Sequence, residues 1–199
     1  MDEVNRPRPL LDRRDVVAAL LSDRGDLLVV TGLGAPTYDV AAAGDDPRNF
    51  HLWGAMGGAA MVGLGLADAQ PQRRIAVVTG DGEQLMGLGA LATIGARRPT
   101  NLAIVVLDNE RYAETGGQPT HTARGVELDG IARACGFPDV RVVRTRSEVL
   151  ELRDAIHRGD GPLFAVVKVD PQDLPRVLPD RDGAWLARRF RQAVVGSAV

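Results

Sequence analysis

Two short motifs hold the residues best placed to do chemistry. Gly80-Asp81-Gly82 follows an apolar run directly and opens a helical stretch, and Asp108-Asn109 closes the next apolar run. Glycines at a strand-to-helix turn let the backbone approach a phosphate, and the free N–H groups at a helix start can bind it. An Asp within such a turn would repel a phosphate unless a cation sat between them, so the triplet points to a metal-bridged diphosphate. Alone, Gly-Asp-Gly also serves as an ordinary turn. Asn109 lies 28 residues after Asp81, a separation that returns a β-α-β chain to the neighbouring strand end. That return can set the Asp81 carboxylate beside the Asn109 amide oxygen. Mg2+ takes hard oxygen ligands in octahedral array, commonly completed by phosphates. One carboxylate, one amide oxygen, one main-chain carbonyl, two diphosphate oxygens and a water would complete that shell. Taken singly, Asn109 would do no more than cap the following turn.

The elements that must position these residues alternate along the chain. Apolar runs at 27–30, 75–79, 102–107, 140–143 and 163–169 predict strands. Helical spacing or composition predicts helices at 11–24, 54–69, 83–97, 128–135, 147–158 and 184–194. The strand runs are continuous rather than alternating, which implies burial on both faces in a parallel sheet. Strands alternating with helices predict a doubly wound α/β fold. In such folds ligands bind beyond the carboxyl ends of the strands, where both motifs fall. No repeat or linker interrupts the pattern, so one domain over 1–199 is expected, with a polar arm over about 1–10 and an Arg-rich helix over about 183–195.

Composition excludes several classes. The chain has 199 residues, 45% hydrophobic and 25% charged, with a net charge of -2. That is an ordinary globular make-up, without the basic excess of a nucleic-acid binder. No segment reaches the ~20 apolar residues that span a bilayer, and residues 1–9 lack the apolar run of a signal peptide, so a cytoplasmic protein is expected. Cys135, the only cysteine, has no base nearby and reads as a small packed thiol. There is no strand–GxGxxG–helix fingerprint and no P-loop lysine, which ranks a nucleotide-binding domain low.

Gly80-Asp81-Gly82, the helix after it, and Leu107-Asp108-Asn109 resemble the diphosphate and metal motif of thiamine-diphosphate enzymes. The segment Leu52-Trp53-Gly54-Ala55-Met56-Gly57 is similar to the stretch those decarboxylases place against the cofactor's rings. Residues 109–120 (NERYAETGGQPT) resemble a loop of the phosphonopyruvate and sulfopyruvate decarboxylases. The likeness runs from about 27 to 169. It implies thiamine diphosphate and Mg2+ as cofactors, with Asp81 and Asn109 binding the metal by side chain and Arg111 by its carbonyl. It implies that Gly80 shapes the diphosphate turn, and that Gly82 and Glu83 meet the diphosphate with backbone N–H groups. Thr31, Gly32, Leu33 and Gly34 would lie near the phosphate or ring. The Gly54 carbonyl would accept a hydrogen bond from the 4'-amino group, and Met56 would bend the cofactor into a V. Read by itself, outside this motif, Met56 would be an ordinary core filler. Thr115, Gly116, Gly117, Gln118 and Thr120 could form a polar nest for an anionic substrate tail, with His121 or Arg124 adding charge, or these could be plain loop residues. His51 would line the pocket or be a structural histidine. Asp45, Asp46 and the Arg-rich tail read as solvated surface.

The same resemblance implies a missing piece. These enzymes need a pyrimidine-binding domain whose glutamate contacts the cofactor, and this chain has no room for it. Glu83 and Glu114 would stand on the wrong side of the ring. A separate partner subunit is therefore expected, giving a hetero-oligomer that decarboxylates a 2-oxo acid to CO2 and an aldehyde. A carboligase of the acetolactate-synthase type and a non-catalytic cofactor-binding subunit are the competing readings. The small-residue helix at 54–69 fits either a subunit interface or close packing on the sheet.

Overall fold

The computed structural model describes residues 10–196, so the expected arm at 1–10 lies almost wholly outside the described residues. The main strands are β1 (Leu28–Thr31), β2 (Asn49–His51), β3 (Ile75–Gly80), β4 (Leu102–Asp108), β7 (Asp139–Val143) and β8 (Leu163–Lys168). They form one six-stranded sheet in the order β2-β1-β3-β4-β8-β7, with every pairing parallel. A small antiparallel ribbon, β5 (Arg111–Tyr112) and β6 (Gln118–Pro119), stands apart. The helices are α1 (Arg13–Leu21), α2 (Ala35–Ala42), α3 (Ala59–Ala69), α4 (Asp81–Met86), α5 (Gly89–Arg97), α6 (Leu128–Ala134), α7 (Arg146–Arg158) and α8 (Gly183–Val195).

Continuous apolar strands demand cover on both faces, and the helices supply it. Every residue of β1 and β4 is buried. Alternate residues split between two cores. Val29, Val78, Val105 and Val167 join α1, α2 and α7 on one face. Leu28, Val77, Ile104 and Phe164 join α3, α5 and α6 on the other, with α8 partly packed against them. Each such Val or Leu contributes about 1.5–3 kcal/mol by leaving water. The α/β doubly wound expectation holds, and the five predicted strands stand within a residue or so of their expected ends.

Four local readings need correction. The helix expected over 54–69 begins only at Ala59, because Gly54 and Gly57 adopt φ of +74 and +84, outside helical space. The helix expected over 83–97 starts earlier, at Asp81, and breaks at Gly87 into α4 and α5. A Cβ at Gly87 would lie 2.1 Å from the Gly57 carbonyl oxygen, so two chain segments meet there backbone to backbone. Asp46 is not free surface but partly buried against Arg48, whereas Asp45 is exposed as expected and pairs with Arg189 of α8. Cys135 is only partly buried, against the core under α5 and α6. The small residues of α3 serve close packing on the sheet, with Gly63 directly over Val77. Sequence reading also missed α2 and β2, both short.

The chain leaves β1 for β2 on one side and returns to β3 on the other. The carboxyl ends of β1 and β3 thus flank a topological switch point, where open α/β sheets bind ligands. Among the described residues no helix is long and apolar enough to cross a membrane.

Candidate functional site

A cleft opens at this switch point. Leu33 and Gly34 wall it after β1, Gly80, Asp81, Gly82 and Glu83 after β3, and Asn109 and Arg111 after β4; Met56, Tyr112, Glu114 and Thr115 also line it. Nine of the candidate cofactor and metal residues are thereby brought together. Thr31, Gly32, Gly54 and His51 do not line it.

Asp81 is 1% exposed. Its Oδ2 accepts hydrogen bonds from the Thr120 hydroxyl at 2.5 Å and the Thr122 hydroxyl at 3.1 Å. No cation pairs with it among the described residues. Burial pushes its pKa up to about 6, the Thr120 bond pulls the other way, and the charge of Asp108 adds to the rise. The neighbouring Asp108 is neutralised differently: its Oδ1 accepts from Thr122 at 2.9 Å and its Oδ2 from Lys168 Nζ at 2.6 Å. Lys168 also donates to Glu110 at 3.0 Å. Burial alone would lower the Lys168 pKa, but Asp108 and Glu110 together hold it above the usual range.

The donor set fits a hard divalent cation. A buried carboxylate normally carries an opposite charge or a metal, and among the described residues Asp81 has hydroxyl and backbone N–H donors but no cation. Asn109 stands beside it at the cleft, its amide oxygen accepting from the Arg111 N–H at 3.0 Å. Between them Glu110 sits at φ +60, a costly conformation for a residue with a side chain. Among the described residues no group of three or more His, Cys, Asp or Glu could hold a metal; the expected ligands here are one carboxylate, one amide and one carbonyl.

The glycines of the motif have reasons beyond a phosphate. A Cβ at Gly82 would lie 2.5 Å from the Tyr112 ring, and one at Gly32 would collide with the Glu83 carboxylate. Glu83 is 4% exposed, and its carboxylate accepts from the Thr79 hydroxyl and, at 3.4 Å, from the Ala59 N–H at the start of α3. Burial raises its pKa. So this side chain caps α3 and ties the Met56 segment to the turn after β3, while its backbone stays at the cleft. Met56 itself is 41% exposed at the cleft wall; the core-filler reading fails.

Thr31 is fully buried, with its hydroxyl 2.6 Å from that of Thr37 and 3.0 Å from His51 Nδ1. Thr37 donates its one proton to the Gly32 carbonyl at 2.6 Å. Thr31 must then donate to Thr37, and His51 Nδ1–H to Thr31. None of the three residues in this chain of bonds lines the cleft. Gly54 lies with open space around it. Of the polar nest expected over residues 115–120, Thr115 alone lines this cleft. Thr115 and Gln118 bond each other, Gly116 and Gln118 are exposed, Gly117 is partly buried, Thr120 is buried on Asp81, and His121 and Arg124 are exposed and do not line the cleft. Sequence reading missed Tyr112, Thr122 and Lys168; only the last left a signal, as the single lysine of the chain.

Comparison with known proteins adds to this geometry. Residues 35–168 match the family described as thiamine pyrophosphate enzyme, C-terminal TPP binding domain. The chain is 38% identical over 188 residues to the sulfopyruvate decarboxylase subunit beta of Methanothermobacter thermautotrophicus, covering 94% of this chain and 98% of that protein. It is 40% identical over 177 residues to the phosphonopyruvate decarboxylase of Streptomyces viridochromogenes, covering 85% of this chain but only 42% of that longer protein. A solved structure from Mycobacterium smegmatis, assigned as a thiamin diphosphate-dependent enzyme, superposes with a TM-score of 0.67 at 22% identity, over 86% of this chain and 37% of that one. At that identity the likeness concerns the fold.

Proposed function

Because the chain belongs to the thiamine pyrophosphate enzymes, as their C-terminal cofactor-binding domain, we propose that it is the cofactor-binding subunit of a two-subunit decarboxylase. Its substrate is a 2-oxo acid with an anionic head, sulfopyruvate or phosphonopyruvate, and its products are CO2 and an aldehyde. The observation that carries this reading is Asp81: a carboxylate 1% exposed, with no cation beside it among the described residues, at the strand end where the cleft opens.

Asp81 and the Asn109 side chain, with the Arg111 carbonyl, hold Mg2+. The Gly82 and Glu83 N–H groups take the diphosphate. Met56 props the rings from the cleft wall. When bound, thiamine diphosphate supplies the electron sink for decarboxylation. The chain's own work is to bind, orient and shield it. Tyr112 packs its ring against Gly82 at the turn after β3.

The glutamate that contacts the pyrimidine comes from a partner subunit. Two observations support this. The methanogen relative matched over nearly its full length is named a subunit beta. The two candidate glutamates here are also engaged: Glu83 caps α3, and Glu114 pairs with Arg176 at 3.3 Å. The same reading places the complex in the cytoplasm.

The test is calorimetric titration of thiamine diphosphate with Mg2+ into this chain, alone and mixed with its pyrimidine-domain partner. Binding that is tight only in the mixture and lost with Asp81→Ala supports the reading, and aldehyde release from sulfopyruvate or phosphonopyruvate identifies the substrate. Absence of binding in both conditions overturns it.

A further inference from the structure

The loop at residues 110–122 invited a substrate-binding role, and the structure gives its threonines another. The loop is a hairpin. Arg111 and Tyr112 pair with Pro119 and Gln118, the Gly117 N–H donates to the Tyr112 carbonyl at 2.9 Å, and the Thr120 N–H donates to the Glu110 carbonyl at 3.0 Å. Thr115 and Gln118 fasten the tip to itself. The chain that leaves β4 at Asp108 therefore returns to the same place at Thr120, beneath the end of β3.

There the hydroxyl geometry selects one oxygen of Asp81. Both Thr120 and Thr122 approach Oδ2, and neither approaches Oδ1. Each hydroxyl has one proton to give. Thr120 spends its proton on Asp81 at 2.5 Å; Thr122 shares its own among Asp108 at 2.9 Å, Asp81 at 3.1 Å and the Thr120 oxygen at 2.8 Å. Lys168 pulls Asp108 from the far side, at 2.6 Å. A run of contacts thus crosses three strand ends, from Lys168 through Asp108 and Thr122 to Asp81, with Thr120 closing it. Thr120 is 1% exposed and Thr122 is 8% exposed, so neither hydroxyl reaches a substrate in the cleft.

We propose that Thr120, assisted by Thr122, is a positioning residue for the metal site: it fixes Oδ2 of Asp81 so that Oδ1 faces the cation, and the hairpin exists to deliver it. This rests on the metal-binding reading of Asp81 above. Groups that hydrogen-bond a ligating carboxylate set its orientation, and their removal typically costs about 10- to 100-fold in metal affinity.

The test reads Mn2+ as the probe, by electron paramagnetic resonance, bound with thiamine diphosphate to the full chain in complex with its pyrimidine-domain partner. Thr120→Val is expected to weaken Mn2+ binding about 10- to 100-fold, and Thr120→Ser, which restores the hydroxyl, to bind within about threefold of the unmodified protein. Val is close in shape to Thr, so a merely structural role would leave the affinity in place. If Thr120→Val does not accumulate folded, Thr122→Ala carries the test, with a smaller loss of about three- to tenfold expected for a shared proton. Unchanged Mn2+ affinity in Thr120→Val, or equal losses in the Val and Ser variants, overturns the positioning role while leaving the metal site standing. Failure of the unmodified complex to bind Mn2+ and thiamine diphosphate overturns both readings together.

Discussion

Lys168 stands directly opposite Asp108 in the β4–β8 register, with its Nζ 2.6 Å from the Asp108 carboxylate. Asp108 is buried and takes its only full charge compensation from this contact. Removing one member of a buried pair leaves the other charge stranded, which costs more than the pair itself contributes. Lys168→Met should therefore destabilise the chain by about 2–3 kcal/mol, read as a lowered denaturant midpoint. Lys168→Met combined with Asp108→Asn should recover more than half of that loss. Equal midpoints for the single variant and the unmodified chain would show that water already screens the pair.

Gly87 and Gly57 meet backbone to backbone, and a side chain has no room at the contact. Gly87→Ala should cost about 1–3 kcal/mol through overpacking. It should also push the Met56 segment off the cleft wall. The check is a paired measurement of thermal midpoint and cofactor affinity, and both should fall; a fall in the midpoint alone would separate the contact from the cleft.

Met56 carries little of the fold, because its side chain is 41% exposed. In its proposed role as a prop under the cofactor it would act on the rate. Met56→Ala should leave the melting temperature within a degree or so and lower kcat about ten- to a hundredfold, or ~1.4–2.7 kcal/mol of barrier, while cofactor affinity changes only a few-fold. Steady-state kinetics with cofactor titration decides; an unchanged kcat would return Met56 to the role of a wall.

His51 gives the chain a pH dependence. Burial lowers its pKa to about 4, with Asp45 raising it and Arg189 lowering it to lesser degrees. The folded pKa lies below the ordinary value near 6.5, so the unfolded chain binds the proton more readily. This contribution to stability is full above about pH 6.5 and drains away as the pH falls towards 4, by at most about 1.4 kcal/mol per pH unit. Denaturant unfolding at pH 7 and pH 5 should show the loss, and His51→Gln should reduce the slope. A slope unaffected by His51→Gln would assign the acid sensitivity to carboxylates.

What the sequence made legible was what repeats along it. Runs such as Leu102 to Leu107 are apolar at every position because β4 is covered on both faces, and the motifs at Asp81 and Asn109 sit where those runs stop. What stayed hidden was set by distant contacts. The break at Gly87 is caused by Gly57, thirty residues earlier, and nothing local to Gly87 announces it. Asp39 looks like a polar intrusion in α2 until Arg13 and Arg14 of α1 reach it at 2.7 and 3.2 Å. Thr120 reads as loop chemistry because its partner, Asp81, lies 39 residues away. Periodicity reports burial, but it does not report which side chains meet.

The Glu83 carboxylate touches the strand end at Thr79, the close approach of Gly32 and the first amide of α3 at once. Three segments that lead into the cleft therefore share one bolt, and none of them needs a ligand to take its place. Ordering a loop around a small molecule consumes part of the binding free energy; here that ordering belongs to folding instead. The cofactor meets a rigid seat, and its binding enthalpy should be accompanied by little change in amide hydrogen exchange at Gly57, Ala59 or Gly82.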